Sequence, residues 1–519
     1  MRFFVARSDL QLGLPKSNSR NAQIKTYTSP LALEKWFLES LRKLGKIVFL
    51  NKKSIQKEEI KTIAKSPESI FLSFRGRNGF ANLTEIPKRV LRLSHCDFLL
   101  PESFFSFKDF LPAQVDLVST IFEKKKIKNC LGNSSPEIGV FTPKVDTDFF
   151  CLPDKRQIIL ARKRRGLTED QIHIVYAGRW IVSKGLAQLI RILSIWPLPK
   201  VVITFVGNFE PEFPIHYAVG NHRTFAEFLK QECISQISQG KINFETTKTA
   251  ASLRDLFWSA NLFINPSVHA DENFGITPRQ AAACGVPVLT TNFCGLRSLA
   301  ESMPWGGVNT YPTLHGSRFS LRQFYQLIIC AITKSESYSA REYRRAILRE
   351  CDPQLSQNNL AKAIQCLKKI PLKSSSEIKG IKRRFNRKVC LEANEKIVDA
   401  FFFPARNIQS GCYMYGSSQI NSSLMALQGV YSAIDSPLKV DSGSSWRGFF
   451  RIGIWKEEKM LLEFGYPGPR MFRFQDKRWK DLITCAYLEG TNEWVFTPKN
   501  KEQINIVQEL VDFGYLVLD

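Results

Sequence analysis

The sequence predicts an α/β protein: two doubly wound, Rossmann-like domains followed by an extra α+β module. Three observations predict it. Short apolar runs alternate with amphipathic stretches through residues 1–370, which is how parallel sheets covered by helices on both faces read. The alternation restarts after Pro143, so it describes two blocks. Beyond residue 390 it gives way to aromatic segments separated by Gly- and Pro-rich turns. The expected divisions are 1–150, 151–370, a basic linker at 371–390, and the module at 391–519.

In the first block, Phe3–Ala6, Ile47–Leu50, Ile70–Phe74, Phe98–Leu100 and Ile138–Phe141 read as buried strands. Leu33–Leu44, Ile55–Ala64, Thr84–Leu93 and Ala113–Lys124 carry apolar residues three and four apart and read as helices. In the second block, the strands are His173–Tyr176, Val201–Val206, Ile242–Phe244, Leu262–Ile264 and Val288–Thr290. Its helices are Leu186–Ile195, Phe225–Ser238, Ala251–Trp258 and Pro278–Cys284. Ligands of such sheets sit outside the carboxyl ends of the strands. In the tail, Trp446–Trp455, Lys459–Tyr466 and Arg470–Gln475 read as a β-meander, Lys501–Phe513 as an amphipathic helix and Tyr515–Leu518 as a short strand. The aromatic segment Cys412–Tyr415 reads as core.

Composition narrows the function class. The chain has 519 residues, 44% hydrophobic and 23% charged, which excludes a disordered or fibrous chain. No apolar run reaches the ~18 residues of a membrane-spanning helix. The segment from Met1 to Ser8 lacks a secretory h-region. Twelve cysteines, from Cys96 to Cys485, form no CxxC pair, so they read as reduced thiols of a cytoplasmic protein. The net charge is +25. Residues 1–150 carry +10, 151–370 carry +11, 371–390 carry +6, and 391–519 carry −2. The hinge, from Lys373 to Lys388, is a solvated linker or a contact for phosphates or an anionic membrane surface.

The chemistry concentrates in the second block. Val175-Tyr176-Ala177-Gly178-Arg179-Trp180 is followed by Ser183-Lys184-Gly185 opening a helix, an arrangement that focuses positive charge on an anion. Then come Leu262-Phe263-Ile264-Asn265-Pro266-Ser267, Asp271-Glu272-Asn273-Phe274-Gly275-Ile276-Thr277-Pro278-Arg279-Gln280-Ala281, and Cys284-Gly285-Val286-Pro287. Pro278 falls in the first helical turn, where its missing N–H costs little.

These residues resemble the retaining nucleotide-sugar glycosyltransferases of the GT-B fold, the family 4 or group 1 type. The resemblance runs from Val145-Asp146-Thr147-Asp148-Phe149-Phe150, similar to an interdomain signature, to about Lys369. It implies an acceptor domain at 1–150 and a donor domain at 151–370. It is thinner in the first block, where Ser73-Phe74-Arg75-Gly76 and His95 to Leu100 look like strand ends. The tail lies outside it.

By resemblance, Arg179 and Lys184 hold the donor diphosphate. Neutralising that leaving group is the main electrostatic task in breaking the anomeric C–O bond. Glu272 accepts hydrogen bonds from sugar hydroxyls. Asn273, Phe274, Gly275 and Ile276 hold sugar and phosphate oxygens, partly through backbone N–H groups. Retention is then expected by front-face attack, without a metal and without the paired carboxylates of hydrolases. Asp146 and Asp148 read as structural. No cofactor is implied beyond the nucleotide sugar as co-substrate. Two positions depart from the pattern. Gln280 stands where the family has a ribose-gripping Glu, and charge-assisted bonds are roughly twice as strong as neutral ones. Arg75 stands where many members have a His; it cannot be a base but can bind an acidic acceptor or developing phosphate charge.

The remaining features are plainer. His95 reads as structural, while His269 is either a pocket wall or a loop residue. Lys124-Lys125-Lys126 with Lys128, and Arg162-Lys163-Arg164-Arg165, are solvated helix ends or contacts for anionic lipid. Neither has the aromatic interleaving of a single-strand nucleic-acid site, and no nucleic-acid motif is present, so no nucleic-acid partner is expected. The expected function is transfer of a sugar from a nucleotide-diphosphate sugar to a glycan, lipid-linked or other cell-envelope acceptor. It is expected in the cytoplasm or at the inner face of the membrane. The competing expectation is a catalytically weak or inactive homologue that binds a glycan, nucleotide or protein.

Overall fold

The computed structural model describes residues 1–6, 29–50, 57–66, 68–74, 89–93, 115–131, 137–180, 184–208, 241–246, 249–268, 272–313, 316–335, 339–371, 438–455, 458–463, 470–473, 478, 481–482, 484–488, 493–512 and 516–519. The expected elements Phe98–Leu100 and Phe225–Ser238, the hinge from Lys373 to Lys388, His95 and Cys412–Tyr415 lie outside them.

The first sheet is parallel throughout, in the order β2-β1-β3-β4-β5-β6. Its strands are β1 (Arg2–Ala6), β2 (Lys46–Leu50), β3 (Ser69–Phe74), β4 (Arg89–Leu93), β5 (Val115–Val118) and β6 (Glu137–Val140). The helices α1 (Ser29–Arg42), α2 (Lys57–Lys65) and α3 (Ile121–Leu131) connect them. Side chains alternate across a strand, so Phe3 and Val5 of β1 join Ile70, Leu72 and Phe74 of β3 in one cluster with Leu33, Phe37 and Leu41 of α1. Phe4 and Phe71 face the other way and pack with Ile60 and Ala64 of α2.

Two expected helices are corrected here. Within Thr84–Leu93, the described residues Arg89–Leu93 form strand β4; within Ala113–Lys124, Val115–Val118 form strand β5. Charged residues at Arg92 and Asp116 gave these runs a helix-like polar face. In the sheet they are cross-strand register partners, both buried and joined as a bidentate ion pair. Helix α3 starts only at Ile121. Thr120 Oγ1 accepts from the Glu123 N–H at 3.2 Å, and Glu123 Oε2 accepts from the Ser119 N–H at 2.7 Å, a reciprocal cap.

The second sheet has the order β13-β12-β11-β10-β7-β8-β9, parallel except for the β12–β13 hairpin. Its strands are β7 (Ile172–Ala177), β8 (Val201–Val206), β9 (Ile242–Glu245), β10 (Leu262–Asn265), β11 (Val288–Asn292), β12 (Val308–Thr313) and β13 (Gly316–Phe319). Around it lie α4 (Lys155–Arg164), α5 (Leu186–Ile195), α6 (Ala250–Ser259), α7 (Ile276–Ala283), α8 (Arg297–Glu301), α9 (Leu321–Ser335) and α10 (Ala340–Glu350). Strand order reverses between β7 and β10. This is the topological switch point, where open α/β sheets form a crevice outside the carboxyl ends.

Helix α11 (Pro353–Lys369) departs from the boundary expected at residue 370. It is capped by Asp352, whose Oδ1 accepts from the Gln354 N–H at 2.9 Å. It packs on β4, β5 and β6 of the first sheet, and Leu360, Ala363, Ile364 and Leu367 complete that sheet's core. Apolar periodicity announces the helix but not which sheet receives it.

The tail forms an antiparallel sheet, β16-β15-β14-β18-β17, with β19 also paired to β14. These strands are β14 (Trp446–Trp455), β15 (Glu458–Glu463), β16 (Arg470–Arg473), β17 (Ala486–Leu488), β18 (Glu493–Phe496) and β19 (Leu516–Leu518). Helix α12 (Lys501–Asp512) buries Ile506, Val507 and Leu510 with Trp446. The tail groups with the second sheet. The Asp519 carboxylate meets Arg447 and Arg322 at 3.2 Å each, and both guanidinium groups lie over the Trp196 ring. Among the described residues no helix is long and apolar enough to cross a membrane.

Candidate functional site

Strand β7 sits beside the switch point, and its burial is built around His173. That ring is fully buried, with Nε2 2.8 Å from Thr204 Oγ1 and Nδ1 3.1 Å from Ser259 Oγ. Burial, reinforced by Arg165 and Arg162, pushes its pKa down to about 3. The unfolded side chain takes up a proton near 6.5, so this contribution is complete above that pH and is lost as pH falls towards 3. Stability is expected to drop by about 1.4 kcal/mol per pH unit over that range. Urea unfolding at pH 7 and pH 5 checks this: His173→Asn should show a shallower pH slope than the wild type.

At the carboxyl end of β7, Gly178 donates its N–H to Val206 O at 2.9 Å, and Tyr176 OH donates to Arg179 O at 2.8 Å. A Cβ on Gly207 would stand 1.9 Å from Gly178 O, so a glycine is needed where the ends of β7 and β8 close together. Trp180 is buried, donates its N–H to Asn208 O and stacks edge-on against Phe244. With its neighbours pinned, Arg179 is exposed at the strand end.

Lys184 lies half-buried in the turn before α5. The next residue, Gly185, has φ +76°, and a Cβ there would stand 2.3 Å from Pro266 O. That close approach holds the Lys184 turn against the carboxyl end of β10, the strand paired with β7. Gly185 caps α5 without a side-chain hydrogen bond. The first N–H groups of that helix therefore have no side-chain cap, and they carry the positive end of its dipole. Pro266 leads into Ser267, which is fully buried and whose carbonyl accepts from Thr291 Oγ1 on β11.

The segment leading into α7 is also buried. Glu272 is 7% exposed, Asn273 3% and Phe274 1%. Gly275 has φ +69°, a left-handed turn that a side chain would strain, and the helix starts at Ile276. Asn273 Nδ2 is buried and has no hydrogen-bond partner among the described residues. An unsatisfied buried donor beside a buried carboxylate suits a ligand rich in hydroxyl or phosphate oxygens. Ile276 and Gln280, one turn apart, share the half-exposed face of α7, whereas Pro278, Arg279, Ala281, Ala282 and Ala283 are buried.

Arg179 and Lys184 thus stand at the ends of neighbouring strands, and Glu272 to Ile276 form one continuous approach to α7. Arg75 and His269 lie outside the described residues. Asp146 caps a turn, its Oδ1 accepting from the Phe149 N–H at 3.1 Å. Sequence reasoning missed Arg279. It is fully buried, and its Nη2 donates to Ser298 Oγ at 2.7 Å and Gly295 O at 3.4 Å, tying α7 to α8 and to the turn before it. A lone Arg on a helix otherwise rich in small residues was the available signal.

Comparison with known proteins fits this geometry. A glycosyltransferase from Rickettsia africae ESF-5 superposes with a TM-score of 0.51 at 14% identity, covering 71% of this chain and 99% of that one. Sucrose-phosphate synthase from Thermosynechococcus elongatus gives 0.50 at 14% identity, over 70% and 98%. The fold is GT-B. Within it, residues 158–303 match the family described as glycosyl transferases group 1, a segment holding Arg179, Lys184, Glu272 to Ile276 and Gln280. Among curated relatives, D-inositol 3-phosphate glycosyltransferase from Paenarthrobacter aurescens is 26% identical over 185 residues, 35% of this chain and 41% of that protein. A glycosyltransferase of Methanocaldococcus jannaschii is 25% identical over 151 residues, 29% and 35%. This GT-B chain therefore matches about two fifths of the length of those relatives.

Proposed function

We propose that the chain is a retaining, metal-independent glycosyltransferase that moves a sugar from a nucleotide-diphosphate sugar to a glycan, lipid-linked or other cell-envelope acceptor. The carrying observation is the seat of Gly185 on the Pro266 carbonyl, which puts Lys184 at the end of β10 while Arg179 stands at the end of β7. Two cations and an uncapped helix N-terminus at a switch point suit a diphosphate. Arg179 and Lys184 offset the charge that builds on the leaving diphosphate as the anomeric bond opens. Glu272 accepts from sugar hydroxyls, the Asn273 amide donates to a sugar or phosphate oxygen, and the N–H groups of Phe274, Gly275 and Ile276 donate to oxygens of the same kind. Gln280 faces the ribose. The acceptor hydroxyl attacks the anomeric carbon on the face the diphosphate leaves, and a departing phosphate oxygen takes the hydroxyl proton. Configuration is thereby retained. Arg75 would bind an acidic acceptor or the same phosphate charge. The place of action would be the cytoplasm, where nucleotide sugars are made.

The test is a donor panel of UDP-, GDP-, ADP- and dTDP-sugars, read by thermal stabilisation and by slow donor hydrolysis. One donor should stabilise the protein and be hydrolysed. Gln280→Glu should tighten its binding several-fold, because a carboxylate accepts the ribose hydroxyls more strongly than an amide. No stabilisation by any donor would reject the reading. Gln280 itself favours a second reading, a nucleotide-binding homologue without turnover, for which stabilisation without hydrolysis is the signature.

A further inference from the structure

Helix α4 has ten residues and buries one of them, Ala161. Ile159 is 63% exposed, Leu160 41% and Ile158 37%, so three consecutive large apolar side chains stand in water. Helical spacing puts Lys155, Ile159 and Lys163 on one row and Arg156 and Leu160 on the next. No acidic residue occurs in the helix. Ile158 also lines a cavity of about 810 Å³ whose walls mix apolar residues such as Leu152 and Phe257 with Arg162, Glu169 and Arg341.

The structure divides the basic cluster at Arg162 to Arg165. Arg162 donates to Thr168 O and Gln171 O at 2.7 Å, to Asn261 Oδ1 at 3.0 Å and to Ser259 O at 3.2 Å. Arg164 pairs with Asp255, and Arg165 with Glu245 at 2.8 Å. Arg162 fastens the helix near the amino ends of β7 and β10, Arg164 ties it to α6, and Arg165, at its C-terminus, ties it to the end of β9. Lys155, Arg156 and Lys163 are the α4 cations that face solvent with no acidic partner among the described residues.

We propose that α4 is a docking helix for the surface of an anionic lipid bilayer. Apolar tips ringed by long cationic side chains match that partner: Ile159 and Leu160 enter below the phosphates while the lysines and Arg156 reach back up to them. Lysine on both sides of the apolar centre argues against a protein partner, because lysine is depleted from protein–protein interface cores. The inference is independent of glycosyl transfer.

The test is co-sedimentation of the full chain with vesicles of equimolar phosphatidylglycerol and phosphatidylcholine, with pure phosphatidylcholine as control. The wild type should bind the anionic vesicles and lose affinity as salt rises. Lys155→Gln with Lys163→Gln should weaken binding roughly thirtyfold, at about fivefold per cation removed. Ile159→Asp should weaken it about tenfold without changing the melting temperature, since the side chain is already in water. Charge reversal at Lys124, Lys125 and Lys128 of α3 should leave most of the binding in place. The proposal is overturned by no preference for anionic vesicles or by α4 variants that bind undiminished. It is equally overturned by α4-dependent self-association in sedimentation velocity without vesicle binding.

Discussion

Lys184→Ala is expected to lower turnover of the donor found by the panel about 10²–10³-fold, the cost of removing one preorganised charge from a developing anion. The loss should fall mainly on kcat, because the diphosphate carries more charge in the transition state than in the bound donor. Glu272→Ala should give a comparable loss, with a larger share in KM, since sugar hydroxyls are bound before and during reaction. Both should melt near the wild-type temperature. Steady-state kinetics with each variant reads the split directly. An unchanged rate in Lys184→Ala would remove the residue from the diphosphate site.

Gly185→Ala is expected to be strongly destabilising for the second sheet's unit. The left-handed φ of +76° costs about 1–2 kcal/mol for an L side chain. The new Cβ would also stand 2.3 Å from a backbone carbonyl that cannot rotate aside, adding an overpacking cost of about 1–3 kcal/mol. Gly166→Ala separates the two causes, because Gly166 has φ +65° with nothing within 4 Å of a Cβ. It should lose only the conformational part. Chemical denaturation of both variants checks the difference, and equal losses would show that the Pro266 contact yields. Donor affinity should fall with Gly185→Ala and not with Gly166→Ala.

Much of this was legible in the sequence because buried parallel strands read as unbroken apolar runs. Val201–Val206 and Leu262–Ile264 were found for that reason. Arg89–Leu93 and Val115–Val118 were misread because Arg92 and Asp116 satisfy each other inside the sheet, and pairing across 24 residues leaves no local signature. Motif spacing singled out Arg179, Lys184 and the segment around Glu272 as candidates. It could not show that Gly185 is fixed by Pro266, that Asn273 carries an unsatisfied donor, or that Arg162 serves carbonyl groups instead of solvent. Each depends on a neighbour distant in sequence or on burial.

The return of α11 to the first sheet has a consequence for synthesis. The six strands of that sheet are all made by residue 140, but Leu360 to Leu367, which cover part of its core, are not. At 5–20 residues per second, the ribosome needs roughly ten to fifty seconds to supply them. During that interval the nascent sheet exposes an apolar face around Leu91, Val115 and Leu117, so that sheet reaches its final form late. Over that window the open apolar face is the part of the chain most exposed to aggregation, until α11 closes it.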